Sequence, residues 1–202
     1  MQIIPADDTR MIDLPGVGPC PRPVDIDQRL TGFKRLKSLR IYRFLPGPAI
    51  HGESEVDEVF ILPLSGVLDM VITGSHSFHG QLSADGPYRA LYMTPHHAYR
   101  LTPLTPLIVA YVRAEAAGLI PVQALSGGES GSMAEQLRFR QISLPVGQSL
   151  DAGGPETLIH LDRGRLRFGD DVLLSGHTLA LNEGEPAALM ACEASDLLIL
   201  SA

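Results

Sequence analysis

The sequence predicts an all-β fold, either a sandwich or a barrel, and three observations support this prediction. Short segments rich in aliphatic and aromatic residues recur along the chain, each bounded by turn-forming residues. The 20 glycines and 16 prolines suit many tight turns. No segment of about 12 residues or more repeats its apolar residues with a helical period. This combination is typical of antiparallel β-architectures.

Eleven segments carry the strand signal, and they form two groups. The first group comprises LRIYRFL (39–45), EVFILPL (58–64), GVLDMVITG (66–74), YRALYMT (88–94) and LIVAYVRA (107–114). The second group comprises LRFRQISL (137–144), ETLIHLD (156–162), GRLRFGD (164–170), HTLALN (177–182), AALMAC (187–192) and DLLILS (196–201). One short helix is expected over LTGFKRLKSL (30–39).

Residues 114–136 interrupt the strand rhythm with the polar run SGGESGS. We therefore predict an inter-domain linker there, with a first domain over 1–113 and a second over 137–202. The two domains also resemble each other. Glu58 precedes Gly66 and Glu156 precedes Gly164 at the same spacing, and both pairs follow a Leu-Pro turn. The sequence thus predicts an internal duplication with a period near 98 residues.

The composition narrows the partners and the compartment. The net charge of −7 and the pI of about 5.4 disfavour nucleic acid, whose binders normally carry a basic face. No apolar run approaches the roughly 18 residues of a membrane span, and no leader sequence is evident. The two cysteines, Cys20 and Cys192, are expected to be free thiols. We therefore expect a cytoplasmic protein that contacts neither membrane nor nucleic acid.

The segment HGESEVDEVFILPLSG (51–66) holds the densest cluster of chemically active residues. Alternation along an extended strand would put His51, Glu53 and Glu55 on one face. If that face is the interior of the fold, burial and mutual proximity tune these groups for general acid or base chemistry. The alternative is that the acidic run ESEVDE forms a solvated loop without a chemical role.

The stretches HGESEVDEVFILPLSG, ALYMTPHHAYRL and LIVAYVRA resemble the cupin superfamily, and most closely the sugar-nucleotide 3,4-ketoisomerase (WxcM-like) group. The resemblance covers roughly residues 40 to 114. With the duplication, it implies two double-stranded β-helix (jelly-roll) barrels in tandem, a bicupin. It puts the first motif histidine of the family on His51 and the second on Glu53, and Glu58 at the third ligand position of a cupin.

Three functions remain open. The first is an isomerase or epimerase that acts on a carbohydrate or nucleotide sugar by proton transfer. Its base would be His51, and either Glu53 or Tyr99 would assist. Tyr42, His97 and Arg100 would contact the substrate.

The second function is a metal-dependent cupin enzyme, either an oxygenase or a small-acid isomerase. Its divalent metal (iron, manganese, zinc or nickel) would be held by His51, Glu53, Glu58 and His97. The third function is non-catalytic binding or sensing of a small ligand, so whether the protein is an enzyme stays open. The apolar C-terminal strand DLLILSA favours a homodimer with a β-mediated interface.

Overall fold

The computed structural model describes residues 1–116, 118, 121–126 and 137–202, and these residues are almost entirely β-structure. The predicted all-β class is confirmed. The helix predicted over 30–39 is wrong, because α1 covers only Gln28–Thr31 and Leu36 already begins a strand. Asp27 caps α1 by accepting two backbone N–H bonds. Gly32, in the left-handed region with φ +74°, ends it.

Thirteen of the described strands precede residue 126. They are β1 (Gln2–Ile4), β2 (Met11–Leu14), β3 (Gly18–Pro21), β4 (Val24–Asp27), β5 (Leu36–Phe44), β6 (Ile50–Glu53), β7 (Asp57–Ser65), β8 (Val67–Thr73), β9 (Phe78–Ser83), β10 (Ala90–Met93), β11 (Ala98–Pro103), β12 (Leu107–Glu115) and β13 (Gln123–Leu125).

Eight described strands follow residue 137. They are β14 (Arg138–Leu144), β15 (Ser149–Ala152), β16 (Thr157–Arg163), β17 (Arg165–Phe168), β18 (Asp171–Leu174), β19 (Thr178–Leu181), β20 (Ala187–Ala191) and β21 (Ser195–Ser201).

These strands form four main sheets. Sheet I has the order β13-β10-β7-β12-β5-β4 and sheet II the order β6-β11-β8-β9. Sheet III has the order β1-β19-β16-β21-β14 and sheet IV the order β15-β20-β17-β18. Strands β2 and β3 pair with each other as a separate hairpin. We call sheets I and II the first sandwich, and sheets III and IV the second sandwich.

The sheets stack in the order II, I, III, IV, and an apolar core fills each of the three spaces between neighbouring sheets. Leucine, isoleucine and methionine side chains of sheets I and II form the core of the first sandwich. A second core fills the space between sheets III and IV. A third, the inter-sandwich core, packs the outer face of sheet I against sheet III. Alternation decides which core receives a residue, since successive side chains of a strand point to opposite faces.

The two sandwiches share one strand order. Strands β5 to β12 correspond, in order, to strands β14 to β21. With this correspondence, the order of sheet I without its edge strand β4 matches that of sheet III, and the order of sheet II matches that of sheet IV. The remaining edge strands are exchanged between the sandwiches. β1, which precedes the first sandwich in the chain, joins sheet III, and β13, which precedes the second, joins sheet I. This repeated topology agrees with the predicted duplication. Closure of either sandwich into a barrel stays a prediction, as do the domain boundaries. Most of the predicted linker lies outside the described residues.

Glu58 and Glu156 clamp the sandwiches together from opposite sides. The Glu156 carboxylate, 8% exposed, accepts backbone N–H bonds from Lys34, Arg35 and Leu36, where β5 begins. The Glu58 carboxylate, fully buried, accepts the backbone N–H of Leu137, just before β14, at 3.3 Å. Because β5 and β14 are equivalent strands, the contacts are reciprocal. Their carboxylates satisfy buried N–H groups that would otherwise lack a partner.

His160 is a buried imidazole on the face of β16 that is turned towards sheet I. It is 3% exposed, and its Nδ1 lies 3.0 Å from the Thr178 hydroxyl. Burial lowers the pKa of His160 to about 4. The folded protein therefore holds this side chain neutral at physiological pH.

Replacing Glu156 by glutamine should destabilise the protein. The amide offers only one acceptor oxygen, so its NH2 group would face at least one of the N–H donors of residues 34–36. We expect a loss of about 2 kcal/mol in the free energy of unfolding at pH 7, measured by urea titration. The exposed Glu183→Gln is the matched control and should leave the unfolding midpoint unchanged. Equal midpoints for both variants would contradict the clamp.

His160 should also make the protein less stable in acid. As the pH falls from about 6.5 to about 4, the unfolded chain gains a proton at this position while the folded chain does not. Unfolding is thereby favoured by about 2 kcal/mol at pH 4.5 relative to pH 7. His160→Leu should remove this part of the pH dependence, whereas His79→Gln, at an exposed site, should keep it. The same pH dependence in all three proteins would show that His160 is not buried neutral.

Candidate functional site

A small cavity lies inside the first sandwich and contains three of the residues that the sequence analysis selected. Its volume is about 80 Å³, and we call it the phenol chamber because three tyrosines contribute to its wall. Its lining residues are Leu14, Tyr42, Phe44, Ile50, His51, Ile61, Tyr99, Leu101, Val109 and Tyr111. Leu14 belongs to the β2–β3 hairpin, which packs over the sandwich through Ile12, Leu14, Val17 and Cys20.

The tyrosines reach the chamber by strand alternation. Tyr99 and Leu101 share the inner face of β11, and Val109 and Tyr111 share the inner face of β12. The Tyr99 hydroxyl lies over Gly52, where an added Cβ would stand only 2.4 Å from the phenol oxygen, so only glycine fits. Tyr42 stacks on Phe44 with ring centroids 5.6 Å apart.

Two of these phenols lie side by side in the chamber. The Tyr111 hydroxyl donates to the Glu53 carbonyl at 3.3 Å, and the ring centroids of Tyr99 and Tyr111 are 5.9 Å apart. Burial is the main cause that raises the pKa of both phenols. They therefore act as hydrogen-bond donors at neutral pH, and neither is a base.

His51 only borders the chamber. Ile50 and Gly52 face inward on β6, so His51 and Glu53 alternate to the outer face, where both are exposed. Arg100 pairs with His51 in the sheet and is likewise exposed. The expectation that His51 and Glu53 converge inside the fold is wrong, because both side chains lie on the outer face. Glu53 contributes only its backbone carbonyl, which accepts the Tyr111 hydroxyl.

The acidic run at the start of β7 is a structured turn that sequence reasoning did not resolve. Ser54, fully buried, donates to the Thr94 carbonyl at 2.8 Å and accepts the backbone N–H of His97 at 3.0 Å. Glu55 takes a left-handed conformation with φ +54°, which breaks the extended segment between Glu53 and Asp57. The alternation counted from His51 therefore ends at this turn.

Arg113 holds this turn against β12, and it was missed as a functional candidate. Its guanidinium lies 2.7 Å from a Glu55 carboxylate oxygen and 2.9 Å from one of Asp57, which also pairs with Lys37. Burial works to lower the pKa of Arg113, but Tyr111, Glu55 and Asp57 together raise it. Arg113 could have been found from the spacing of positions 109, 111 and 113, because alternate residues of a strand share one face, here the inner face of β12.

His97 is fixed by hydrogen bonds at both ring nitrogens. Its Nδ1 donates to the Pro95 carbonyl at 2.9 Å, and its Nε2 accepts the backbone N–H of His76 at 3.1 Å. The ring is 1% exposed and lies against Gly74, where a Cβ would be only 2.5 Å away. The structure thus places this predicted ligand where it anchors a turn, with no nitrogen lone pair free for a metal.

Glu58 also stands apart from the other predicted ligands. On β7, Val59 and Ile61 point into the first sandwich, whereas Glu58, Phe60 and Leu62 point to the opposite face. Glu58 therefore lies in the inter-sandwich core, where it forms the clamp with Leu137. The four predicted ligands do not share one face of one sheet. Within the described ranges, no group of three or more His, Cys, Asp or Glu residues could hold a metal ion.

Comparison with known proteins identifies the fold. No family model matches the sequence, and no curated protein matches it. Solved structures do match. The pirin YhhW of Escherichia coli, crystallised in complex with nickel(II), is 11% identical with a TM-score of 0.75, over 99% of this chain and 98% of that chain.

Two further structures show the same likeness. YhaK of Escherichia coli is 19% identical with a TM-score of 0.66, over 87% of this chain and 88% of that chain. A mutant of Bacillus subtilis oxalate decarboxylase OxdC is 9% identical with a TM-score of 0.74, over 100% of this chain and 77% of that chain. Another structure of that decarboxylase was used to study its Mn(II) centres.

The described part of the chain contains no helix long and apolar enough to cross a membrane. The structural matches are cupin-fold proteins, while the likeness to the ketoisomerase group stays a prediction. At identities below 20%, what the present chain shares with them is the fold. The protein therefore has the cupin fold.

Proposed function

We propose that the protein binds a small hydroxyl-bearing ligand of the carbohydrate class in the phenol chamber. The observation that carries this proposal is the convergence of Tyr42, Tyr99 and Tyr111 on one cavity that His51 borders. Phenols offer both an aromatic face and a hydroxyl group, and polar ligands in mostly apolar pockets are oriented by a few such groups. Isomerisation would require His51 as the base, because the tyrosines stay protonated.

Ligand entry requires the β2–β3 hairpin to move. The chamber of about 80 Å³ is smaller than the roughly 300 Å³ at which small-molecule sites begin. Among the described strands, the hairpin makes its ladder bonds only within itself, and its side chains pack on the sandwich. A larger groove of about 670 Å³ lies next to Val17 and Cys20 of the hairpin, and Phe44 lines both this groove and the chamber.

A divalent-metal enzyme is the second candidate, and the structural neighbours favour it. The YhhW structure is a complex with nickel(II), and the oxalate decarboxylase has Mn(II) centres. The predicted donor set does not fit this role in the present chain. Both nitrogens of His97 are hydrogen-bonded, and Glu58 lies on the other face of sheet I.

Sugar binding should depend on Tyr99. We expect a monosaccharide or a dTDP-4-keto sugar to give saturable ligand-observed NMR signals with the wild-type protein. Tyr99→Phe removes one hydroxyl donor and should weaken binding by about tenfold. Tyr88→Phe, at an exposed position, is the control. The chain has no tryptophan, so tyrosine emission is a second readout for monosaccharides.

The same samples separate binding from catalysis. Turnover of the keto sugar that His51→Ala abolishes would establish the isomerase, and binding without turnover would establish a binding protein. No saturable signal from any sugar would overturn the proposal.

Metal content gives an independent prediction. Protein purified without chelator and dialysed against nickel or manganese should retain far less than one equivalent per chain by elemental analysis. The physical reason is that the four predicted ligands do not share one face, and that two of them, Glu58 and His97, already make hydrogen bonds. A full equivalent that is lost in His51→Ala but kept in His79→Ala would instead establish the metal enzyme.

A further inference from the structure

A second cavity lies between the two sandwiches, away from the phenol chamber. This inter-sandwich cleft has a volume of about 350 Å³, within the range of small-molecule sites. Its polar wall comprises Asp8, Arg43, His160, Asp162, Ser175 and His177. The phenol chamber shares none of these residues.

The residues that line the cleft on β16 differ in type from those at the equivalent positions of the first half of the chain. Glu58 and Glu156 are equivalent, so Leu62 and Leu64 of β7 correspond to His160 and Asp162 of β16. Leu62 is fully buried in the inter-sandwich core, where a leucine needs no hydrogen bond. Burying an imidazole at the equivalent place costs free energy that leucine would not. The polar pair thus has no evident packing role.

The hydrogen bonds of His160 give its ring a defined direction. Thr178 is fully buried, and in the described part of the chain its hydroxyl has no other acceptor than His160 Nδ1, 3.0 Å away. The hydroxyl therefore donates to Nδ1, and the proton of the neutral ring sits on Nε2. The ring lining the cleft offers an N–H donor.

Two further side chains of the cleft wall can make hydrogen bonds or ion pairs with a ligand. The Nδ1 atom of His177 is buried and has no hydrogen-bond partner among the described residues. Arg43 pairs with Asp8 at 2.9 Å, but the Asp8 side chain is 70% exposed, so a carboxylate in the cleft can replace it at little cost. A guanidinium binds such a carboxylate with two parallel hydrogen bonds.

We propose that the inter-sandwich cleft binds a small zwitterion of the α-amino acid type. The ligand carboxylate takes the place of Asp8 on Arg43 and accepts from His160 Nε2, and the ligand ammonium pairs with Asp162. The charges of the wall support this class. The wall holds one guanidinium and two carboxylates, so a zwitterion can pair with groups of both signs, whereas a ligand with a single charge pairs with only one of them.

The test is ligand-observed NMR with the full chain and each common L-amino acid at concentrations up to about 10 mM. At least one amino acid should bind saturably. Arg43→Gln, at a half-exposed position that does not endanger folding, should weaken its binding by about tenfold or more. His160→Leu, which restores the residue of the first half, should do the same. Arg167→Gln, at an exposed position of β17 that lines neither the cleft nor the phenol chamber, is the matched control and should bind like wild type.

Ligand analogues decide the chemical class. If alanine binds, lactate and ethylamine, each lacking one of its two charged groups, should bind at least about tenfold more weakly. No saturable amino acid, equal binding by wild type and Arg43→Gln, or lactate as tight as alanine would each overturn the proposal. Sugar titrations of the phenol chamber are independent of these outcomes, because the two sites share no residue.

Discussion

Each sandwich has a buried carboxylate that accepts backbone N–H bonds from the other sandwich. These two reciprocal contacts fix how sheets I and III face each other. Glu156 holds the start of β5, and Glu58 holds the residue before β14. Such bonds are directional, whereas the surrounding apolar contacts are not. The clamp therefore sets the register of the inter-sandwich core. The shape of the cleft beside that core depends on it in turn.

The clamp also explains why Glu58 does not join the other predicted metal ligands inside the first sandwich. A glutamate at the start of β7 can serve either the interior of the first sandwich or the inter-sandwich core, but not both. Here Val59 and Ile61 occupy the interior, and Glu58 takes the other face. The phenol chamber in that interior is lined by three tyrosines. Their protons direct hydrogen bonds without supplying a charge.

The sequence predicted the strands well because their signal is local. Alternation and turn residues located the long strands, and the spacing of Glu58 and Glu156 predicted the repeated strand order. The exchange of β1 and β13 between sandwiches was not predictable, since three-residue edge strands carry almost no pattern. The β2–β3 hairpin was missed for a similar reason. Its sequence around Gly18, Pro19 and Pro21 reads as a loop.

The positions of the candidate residues were predicted in part, and the failure has two physical causes. His51 and Glu53 share one face of β6 as predicted, but that face is the exposed one. Beyond them, Glu55 at φ +54° interrupts the alternation. Tyr42 and Tyr99 lie outside this turn on regular strands, and they do reach the chamber. His97 also lies in a turn stabilised by long-range bonds, which a single sequence does not reveal. Alternation grouped residues correctly along regular strands, but it did not reveal which face of β6 is buried, and it failed where a side chain such as Ser54 shaped the turn.

The duplicated halves have placed their polar groups on different faces, and this asymmetry bears on both proposed sites. The interior of the first sandwich contains phenols and the Arg113 ion pairs, while the core of the second sandwich consists of aliphatic residues and one phenylalanine. In the second half, the buried His160 and the exposed Asp162 of β16 face the partner sandwich instead. The second sandwich thus contributes His160 and Asp162 to the wall of the cleft, while the first has the phenol chamber in its own interior.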